Sequence, residues 1–458
     1  MSYIEFIGAE EFGLRQMSER IERTGVIDPV LYTKYEVKKG LRGIDGRGVL
    51  AGLTEIGDVR SYIIEDGEMV PTPGKLFYRG IEINDIVNGF LDEERYGFEE
   101  ASYLLLFGCL PNKTELESFC RLLSGNRNLP NDFVRDIIMK APSSDIMNGL
   151  ARSILTLYSF DRNPDDTSIE NVLRQCIQLI ASFPLLAVYS YQTFSHYFSG
   201  NSLVIHSPRS DIGTAQNILH LLKPDNAFFE QEAKLLDLAL VLHAEHGGGN
   251  NSTFVTHVVT SSGTDTYSAM AASLGSLKGP RHGGANLKVV QMIEDIKANV
   301  SDWSSDVELS GYMAKMLDKQ AFDGSGLIYG FGHAVYSISD PRTEVLKHQA
   351  MQLAHLKNMT EELQLYLNIE RLAPLVIGEK RKIYKGVSAN VDFYSGFVYQ
   401  MLEIPLELFT PLFASARIVG WSAHRIEEIV NNGKIIRPAY KSIAEKKKYV
   451  RLDERCLN

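Results

Sequence analysis

Apolar residues recur along most of this chain at the three-and-four spacing of amphipathic helices, and the exceptions gather near the N-terminus. Residues 10–24 mix charged and apolar groups in a helical rhythm and predict a first helix. Between Gly40 and Tyr78 the rhythm changes. Val49-Leu-Ala-Gly-Leu53 and Val59-Arg-Ser-Tyr-Ile-Ile64 predict short strands, and Asp66-Gly67 suits a tight turn, so a small β section of about residues 40–80 precedes the helices. From Ile81 onward helices dominate. Glu99 to Phe107 reads as a helix stopped by Gly108, with Pro111 beyond the stop. Thr114-Glu-Leu-Glu117 has capping-box spacing, with Leu116, Phe119, Cys120 and Leu123 on one face of the helix it opens. Further helices are predicted around 145–160, 168–195, 211–222, 228–244 and 266–277. Leu287, Val290, Ile293 and Ile296 mark another, with Asn286 placed to cap it. There is no internal repeat and no alternation of strand and helix, which disfavours a doubly wound parallel sheet. The fold class expected is mostly α, with a small N-terminal β section.

Length adds a second element to this picture. At 458 residues the chain exceeds what one core usually holds, so two domains are expected. A formal net charge of -10 argues against a nucleic-acid or anionic-membrane binder, although basic residues local to a site can still hold an anionic ligand. Stretches such as Ser102 to Leu110 are too short to span a bilayer. Cys109, Cys120, Cys176 and Cys456 lie far apart with no CxxC pair, which reads as reduced thiols in a cytoplasmic protein. The first residues carry early acids and no apolar core long enough for a signal peptide.

The candidate chemistry lies in loops rich in glycine and histidine. His282 is followed by two glycines and a helix start, whose positive end favours a neutral imidazole able to donate a hydrogen bond to a carbonyl or enolate oxygen. The alternative is a capping or packing histidine. His333 sits between Gly332 and Ala334, where a ligand can approach the backbone closely. Gly330-Phe-Gly332 lacks the third glycine and the strand–turn–helix setting of a dinucleotide site. Arg342 offers a carboxylate fork. His243 and His246, three apart with Glu245 between them, would share a helix face, but neither the H-E-x-x-H spacing nor a third zinc ligand is present. Asp392 is followed by Phe393 and Tyr394, neighbours that raise a carboxylate's basicity and suit a general base; read locally, an N-cap for the following helix is the better reading. Arg417 lies in the apolar stretch Phe413 to Trp421 and needs an anionic partner, from the protein or from a ligand. Arg437 sits in an extended tail, and Lys446-Lys-Lys448 reads as a solvated face.

Taken together these segments resemble the citrate synthase family, and they occur in the family's order. Gly330-Phe-Gly-His-Ala-Val-Tyr through Asp340-Pro-Arg342 looks like its signature. Gly279 to Asn286, Asn390-Val-Asp-Phe-Tyr-Ser-Gly396 and Ala416 to His424 match its other blocks, and the similarity is clearest from about Leu242 to Pro438. The resemblance implies an almost wholly helical two-domain fold. Residues 1–287 would begin a large domain, 288–395 would form a small domain closing over the substrates, and 396–458 would return to the large domain and the tail. It implies condensation of acetyl-CoA with oxaloacetate and water to citrate and CoA, the entry reaction of the tricarboxylic acid cycle. Asp392 would be the base, His282 would stabilise the enol or enolate, and His333 would polarise the oxaloacetate ketone. His246, Arg342, Arg417 and Arg437 would hold oxaloacetate, with Arg437 reaching the neighbouring site of an obligate homodimer. No cofactor and no metal are implied, because the coenzyme A thioester is a substrate.

Two positions depart from the family pattern. Ser337 stands where many relatives carry a basic residue that helps hold CoA phosphate, and Ala389 replaces a frequent proline before Asn390. Lys380, Arg381, Lys382 and Lys385 are the candidates for the missing phosphate attraction; the alternative is a solvated helix end. A 2-methylcitrate synthase using propionyl-CoA is the nearest rival, since one methylene changes discrimination by only roughly 1–3 kcal/mol. A citryl-thioester lyase and an inactive binding paralogue are further readings, the last opposed by the intact set of site residues.

Overall fold

The computed structural model describes residues 13–43, 48–66, 68–332, 336, 338–382 and 386–455, so His333, Ser337, Lys385 and Cys456 lie outside the described residues. The chain divides into two compact units, residues 1–53 and 54–458. The first contains the helix expected near residues 10–24, observed as Leu14–Thr24, and a short helix Pro29–Lys34. Pro29 occupies the first turn of the latter, where no backbone donor is needed, and Asp28 caps it by accepting from the Val30 N–H at 2.9 Å. The strand expected at Val49–Leu53 does not form. No strand lies beside it among the described residues to complete a ladder; instead the Val49 N–H donates to the Leu41 carbonyl at 2.8 Å.

The second unit opens with a three-stranded antiparallel sheet, β1 (Gly57–Glu65), β2 (Glu68–Tyr78) and β3 (Ile81–Glu82), in the order β1-β2-β3. Its register runs from Gly57 opposite Tyr78 to Glu65 opposite Glu68, with a shift between Arg60 and Tyr62. Ile56, Leu76 and Tyr78 are fully buried, which anchors the base of the hairpin in the helical core.

The helices follow the expected order, with two caps displaced. Gly108, at φ 83°, ends Phe98–Phe107 as expected. The capping box falls on Asn112 and Glu115, not on Thr114 and Glu117, because the helix begins two residues early at Lys113. Similarly the Ala285–Asn299 helix starts after Gly284, so Asn286 lies buried inside its first turn and is not its cap. Ile169–Ser199 is long and apolar enough to cross a membrane, but 83% of its most apolar window is buried within the protein, which makes it a core helix. It packs against Phe409–Val430, whose residues from Phe409 to Arg425 are almost all buried. That second helix also touches Phe98–Phe107, Glu230–His243, Asn251–Thr260 and Thr266–Lys278, and so forms the axis of the unit. Ala285–Asn299, Asp306–Leu317, Pro341–Leu356, Thr360–Arg381 and Val391–Met401 pack largely on one another.

Candidate active site

Two helix N-termini are tied together by one buried carboxylate. Asp340 caps Pro341–Leu356 by accepting from the Arg342 N–H at 3.0 Å, and its second oxygen accepts from the Val391 N–H at 3.3 Å, at the start of Val391–Met401. The same carboxylate grips the guanidinium of Arg342 at 3.0 and 2.7 Å. Burial works against the charge of Arg342, but Asp340 outweighs it and holds the arginine above its ordinary value. Asp392 lies in the first turn of Val391–Met401, where Asn390 is the cap and accepts from the Asp392 N–H at 3.1 Å. Asp392 is therefore free of the capping role. Burial pushes its carboxyl up to about 6, with Asp340 adding to the rise and Arg342 and Arg417 opposing it.

The backbone flanking His333 is anchored beside this helix start. The Gly332 N–H donates to the Ser388 carbonyl at 3.0 Å, the Asn390 N–H to the Gly330 carbonyl at 2.9 Å, and the Asn390 amide to the Gly332 carbonyl at 3.2 Å. Gly330 has φ 81°, and a Cβ there would meet the Phe393 ring at 2.8 Å, so only glycine fits.

His282 is fixed by the first turn of Asn251–Thr260. Its Nε2 faces the Ser252 N–H at 3.4 Å and the Ser252 hydroxyl at 3.0 Å, and that hydroxyl accepts from the Trp421 indole N–H at 3.1 Å. An Nε2 that accepts from the Ser252 N–H carries no proton itself, which leaves the proton of the neutral ring on Nδ1; in that tautomer the Ser252 hydroxyl turns toward Nε2 and away from Asn250 Oδ1, which it also reaches at 2.9 Å. Burial, reinforced by Arg417, pushes His282 down to about 4 and keeps it neutral near pH 7. The result is an imidazole whose Nδ1–H can donate to a ligand without acting as a strong acid.

Arg417 is the common charge of the site, acting on His243, Glu245, His282 and Asp392 alike. It is fully buried and its own pKa is pushed down to about 10 by that burial. Its Nε donates to the His243 carbonyl at 2.7 Å, while Nη1 is buried with no hydrogen-bond partner among the described residues. Both ring nitrogens of His243 are likewise buried and unpartnered among the described residues, beside the Phe413 ring at 4.6 Å. Burial, with Arg342 and Arg417, holds His243 well below the usual histidine range. Buried polar groups left in this state are suited to an anionic ligand that brings its own acceptors.

His246 is buried near the Tyr336 ring at 5.5 Å. The helix ends at His243, so His243 and His246 do not share a helix face as their spacing suggested. Arg437 is exposed in an extended tail. Lys380 pairs with Asp318 at 2.6 Å, Arg381 bonds the Gly326 carbonyl, and Lys382 ends the helix in a left-handed conformation.

Several residues that shape the site escaped the sequence reading. Asp340 and His424 lay inside recognised blocks without a role, and Glu245 was weighed only as a metal ligand. Ser252 had no local signal, because its two functional bonds join it to residues 30 and 169 positions away.

A family model described as the citrate synthase C-terminal domain matches residues 41–439. The chain is similar to the citrate synthase of Synechocystis sp., with 35% identity over 394 residues, covering 84% of this chain and 90% of the relative. It is also similar to the 2-methylcitrate synthase of Shewanella oneidensis, at 31% over 370 residues, 80% of this chain and 87% of that one. The solved structure of citrate synthase from Pyrobaculum aerophilum matches with a TM-score of 0.71 at 28% identity, covering 89% of this chain and 94% of the other.

Proposed function

The chain belongs to the citrate synthase family, and on that premise we propose that it condenses acetyl-CoA with oxaloacetate and water to give citrate and CoA. The observation that carries this reading is the pairing of a carboxylate poised near 6 with a neutral histidine donor around one buried cation. Asp392 takes a proton from the acyl α-carbon, and the electron pair moves onto the thioester oxygen. The Nδ1–H of His282 stabilises that oxygen as the enol or enolate forms. The carbon then attacks the oxaloacetate ketone, which His333 polarises. Hydrolysis of the resulting citryl thioester releases citrate, CoA thiol and a proton.

Arg342 and Arg417, with His246, hold the two carboxylates of oxaloacetate, and Arg437 completes the site of a second subunit in a homodimer. The helices between residues 288 and 395 close over the substrates and exclude water from the enolate. Lys380, Arg381, Lys382 and Lys385 attract the CoA phosphates. For Lys380 this requires release from Asp318.

The similarity to a 2-methylcitrate synthase favours propionyl-CoA as a second candidate substrate. Thiol release from acetyl-CoA and from propionyl-CoA, with and without oxaloacetate, decides between them. Faster turnover with acetyl-CoA supports the reading above, and faster turnover with propionyl-CoA replaces it. No oxaloacetate-dependent release from folded protein with either thioester would overturn both.

A further inference from the structure

Behind the substrate site runs a line of four titratable groups that the mechanism does not use. Glu245 Oε1 lies 3.1 Å from His424 Nε2, His424 Nδ1 lies 3.1 Å from His257 Nε2, and His257 Nδ1 lies 2.8 Å from Glu428 Oε2. Glu245 and His424 are fully buried, whereas His257 and Glu428 are partly exposed. At the outer end Glu428 borders a polar cleft lined by Thr260, Ser261 and Asn432. At the inner end Glu245 is the principal acid acting on Arg417, and it immediately precedes His246. The Gly247 N–H also donates to Glu245, which ties the carboxylate to the turn after His246.

Each of the line's three links needs one proton between two heavy atoms. Glu245 can only accept, because burial alone would raise its carboxyl but His424, Arg417 and the Gly247 N–H together hold it below the usual carboxylate range. His424 Nε2 therefore donates to Glu245, His424 Nδ1 accepts from His257 Nε2, and the last link needs a further proton between His257 Nδ1 and Glu428. Two neutral imidazoles supply only two protons. The complete chain thus holds one proton more than its neutral rings carry, and its net charge is −1 instead of −2.

We propose that Glu428, His257 and His424 form a one-proton positioning relay that sets the affinity of the site for oxaloacetate. With the third proton, the line is continuous and Glu245 is held as the counter-ion of Arg417. When that proton leaves, one link opens and an additional negative charge stands behind a site that binds a dianion. Affinity therefore falls as pH rises. The remaining groups facing the line are Glu427, 3.8 Å from His424 Nδ1, along with Arg417 and His246. Glu427 is itself held by the Glu55 N–H at 2.9 Å. Burial and the neighbouring His424 lower His257, against the pull of Glu428, so the extra proton is lost below the ordinary histidine range. This inference rests on the assignment of Arg417 and His246 to oxaloacetate.

The test is calorimetric titration of the full-length enzyme with oxaloacetate between pH 5.5 and 7.5, in two buffers of different ionisation enthalpy. The wild type should take up a fraction of a proton on binding, and its Kd should rise about three- to tenfold across this range, the effect of one charge in a medium of effective dielectric near 20. In Glu428→Gln the amide N–H donates to His257 Nδ1 and completes the line without the third proton. That variant should bind oxaloacetate at pH 7.5 as tightly as the wild type does at pH 5.5, with reduced proton uptake. His257→Gln should also lose uptake, but with weaker binding throughout. Asp392 titrates in the same range in all three proteins, so differences between them isolate the relay. A purely structural role would give Glu428→Gln wild-type pH dependence or uniformly weaker binding, and either result overturns the proposal. Absence of oxaloacetate binding by the wild type at every pH would instead refute the substrate assignment itself.

Discussion

Replacing Arg417 with methionine should separate stability from binding. The guanidinium is fully buried in an apolar helix and, among the described residues, makes one hydrogen bond through Nε and leaves Nη1 without a partner. Its displacement to about 10 corresponds to roughly 3 kcal/mol lost by the folded chain in carrying the charge. The sign follows from the direction of the shift. A cation whose pKa is lower folded than unfolded destabilises the fold wherever it is protonated, so the cost is complete at pH 7 and disappears only above arginine's ordinary range. Arg417→Met keeps most of the apolar stem and removes the charge, but it leaves the His243 carbonyl without its donor, a loss of about 1–3 kcal/mol. The two terms nearly offset one another. Stability should therefore stay level or rise by up to about 2 kcal/mol, and the melting temperature should stay level or rise by a few degrees. Oxaloacetate affinity should fall roughly 30-fold or more, as expected for removal of one partner from a desolvated charge pair. Thermal unfolding with and without oxaloacetate reads both effects, since bound ligand raises the wild-type midpoint by mass action. A variant that melts far below the wild type, or that keeps the full oxaloacetate-induced shift, would refute the reasoning.

Other consequences follow from the same geometry. Because Asp392 must be ionised to accept a proton and is pushed up to about 6, kcat/KM should climb with pH through that value and be lost below it; a pH–rate profile flat between 5 and 7 would argue against this base. Ser252→Ala removes the hydroxyl between Trp421 and His282 but keeps the backbone N–H, so kcat should fall about tenfold with oxaloacetate binding unchanged; steady-state kinetics beside direct titration would reveal any loss of binding instead. In Gly420→Ala the new Cβ would stand 2.4 Å from Glu245 Oε2 and 2.5 Å from the Ala244 carbonyl, so stability should drop by about 1–3 kcal/mol in denaturant melts.

The helical architecture was legible because its signal is periodic and local. Burial of one face repeats along each helix, and Gly108 stops Phe98–Phe107 where its left-handed backbone requires. Caps were less legible. Thr114 and Asn112 both begin plausible boxes, and only packing of the whole helix selects Asn112. The strand expected at Val49–Leu53 shows the same limit, since strand formation depends on a partner the segment itself does not specify. Within the candidate site, Arg417 stood out locally as a charge in an apolar helix, whereas His282 and Asp392 had capping readings of their own and were singled out by the family resemblance. Glu245 and His424 could not be paired in advance: they are 179 residues apart, and their contact exists only because Phe409–Val430 crosses the end of Glu230–His243. The role proposed for Arg437 in a second subunit has no local signature in the exposed tail.

Proton abstraction by the partly buried Asp392, with oxaloacetate held by separate cations, is probed by comparing the wild type with Asp392→Ala. Oxaloacetate-dependent thiol release from acetyl-CoA and calorimetric binding of oxaloacetate should be measured on the same two preparations. Turnover should fall roughly 10²–10⁴-fold in the variant, the usual worth of a positioned base, with oxaloacetate affinity retained. Near-normal turnover in Asp392→Ala would contradict proton abstraction by this residue.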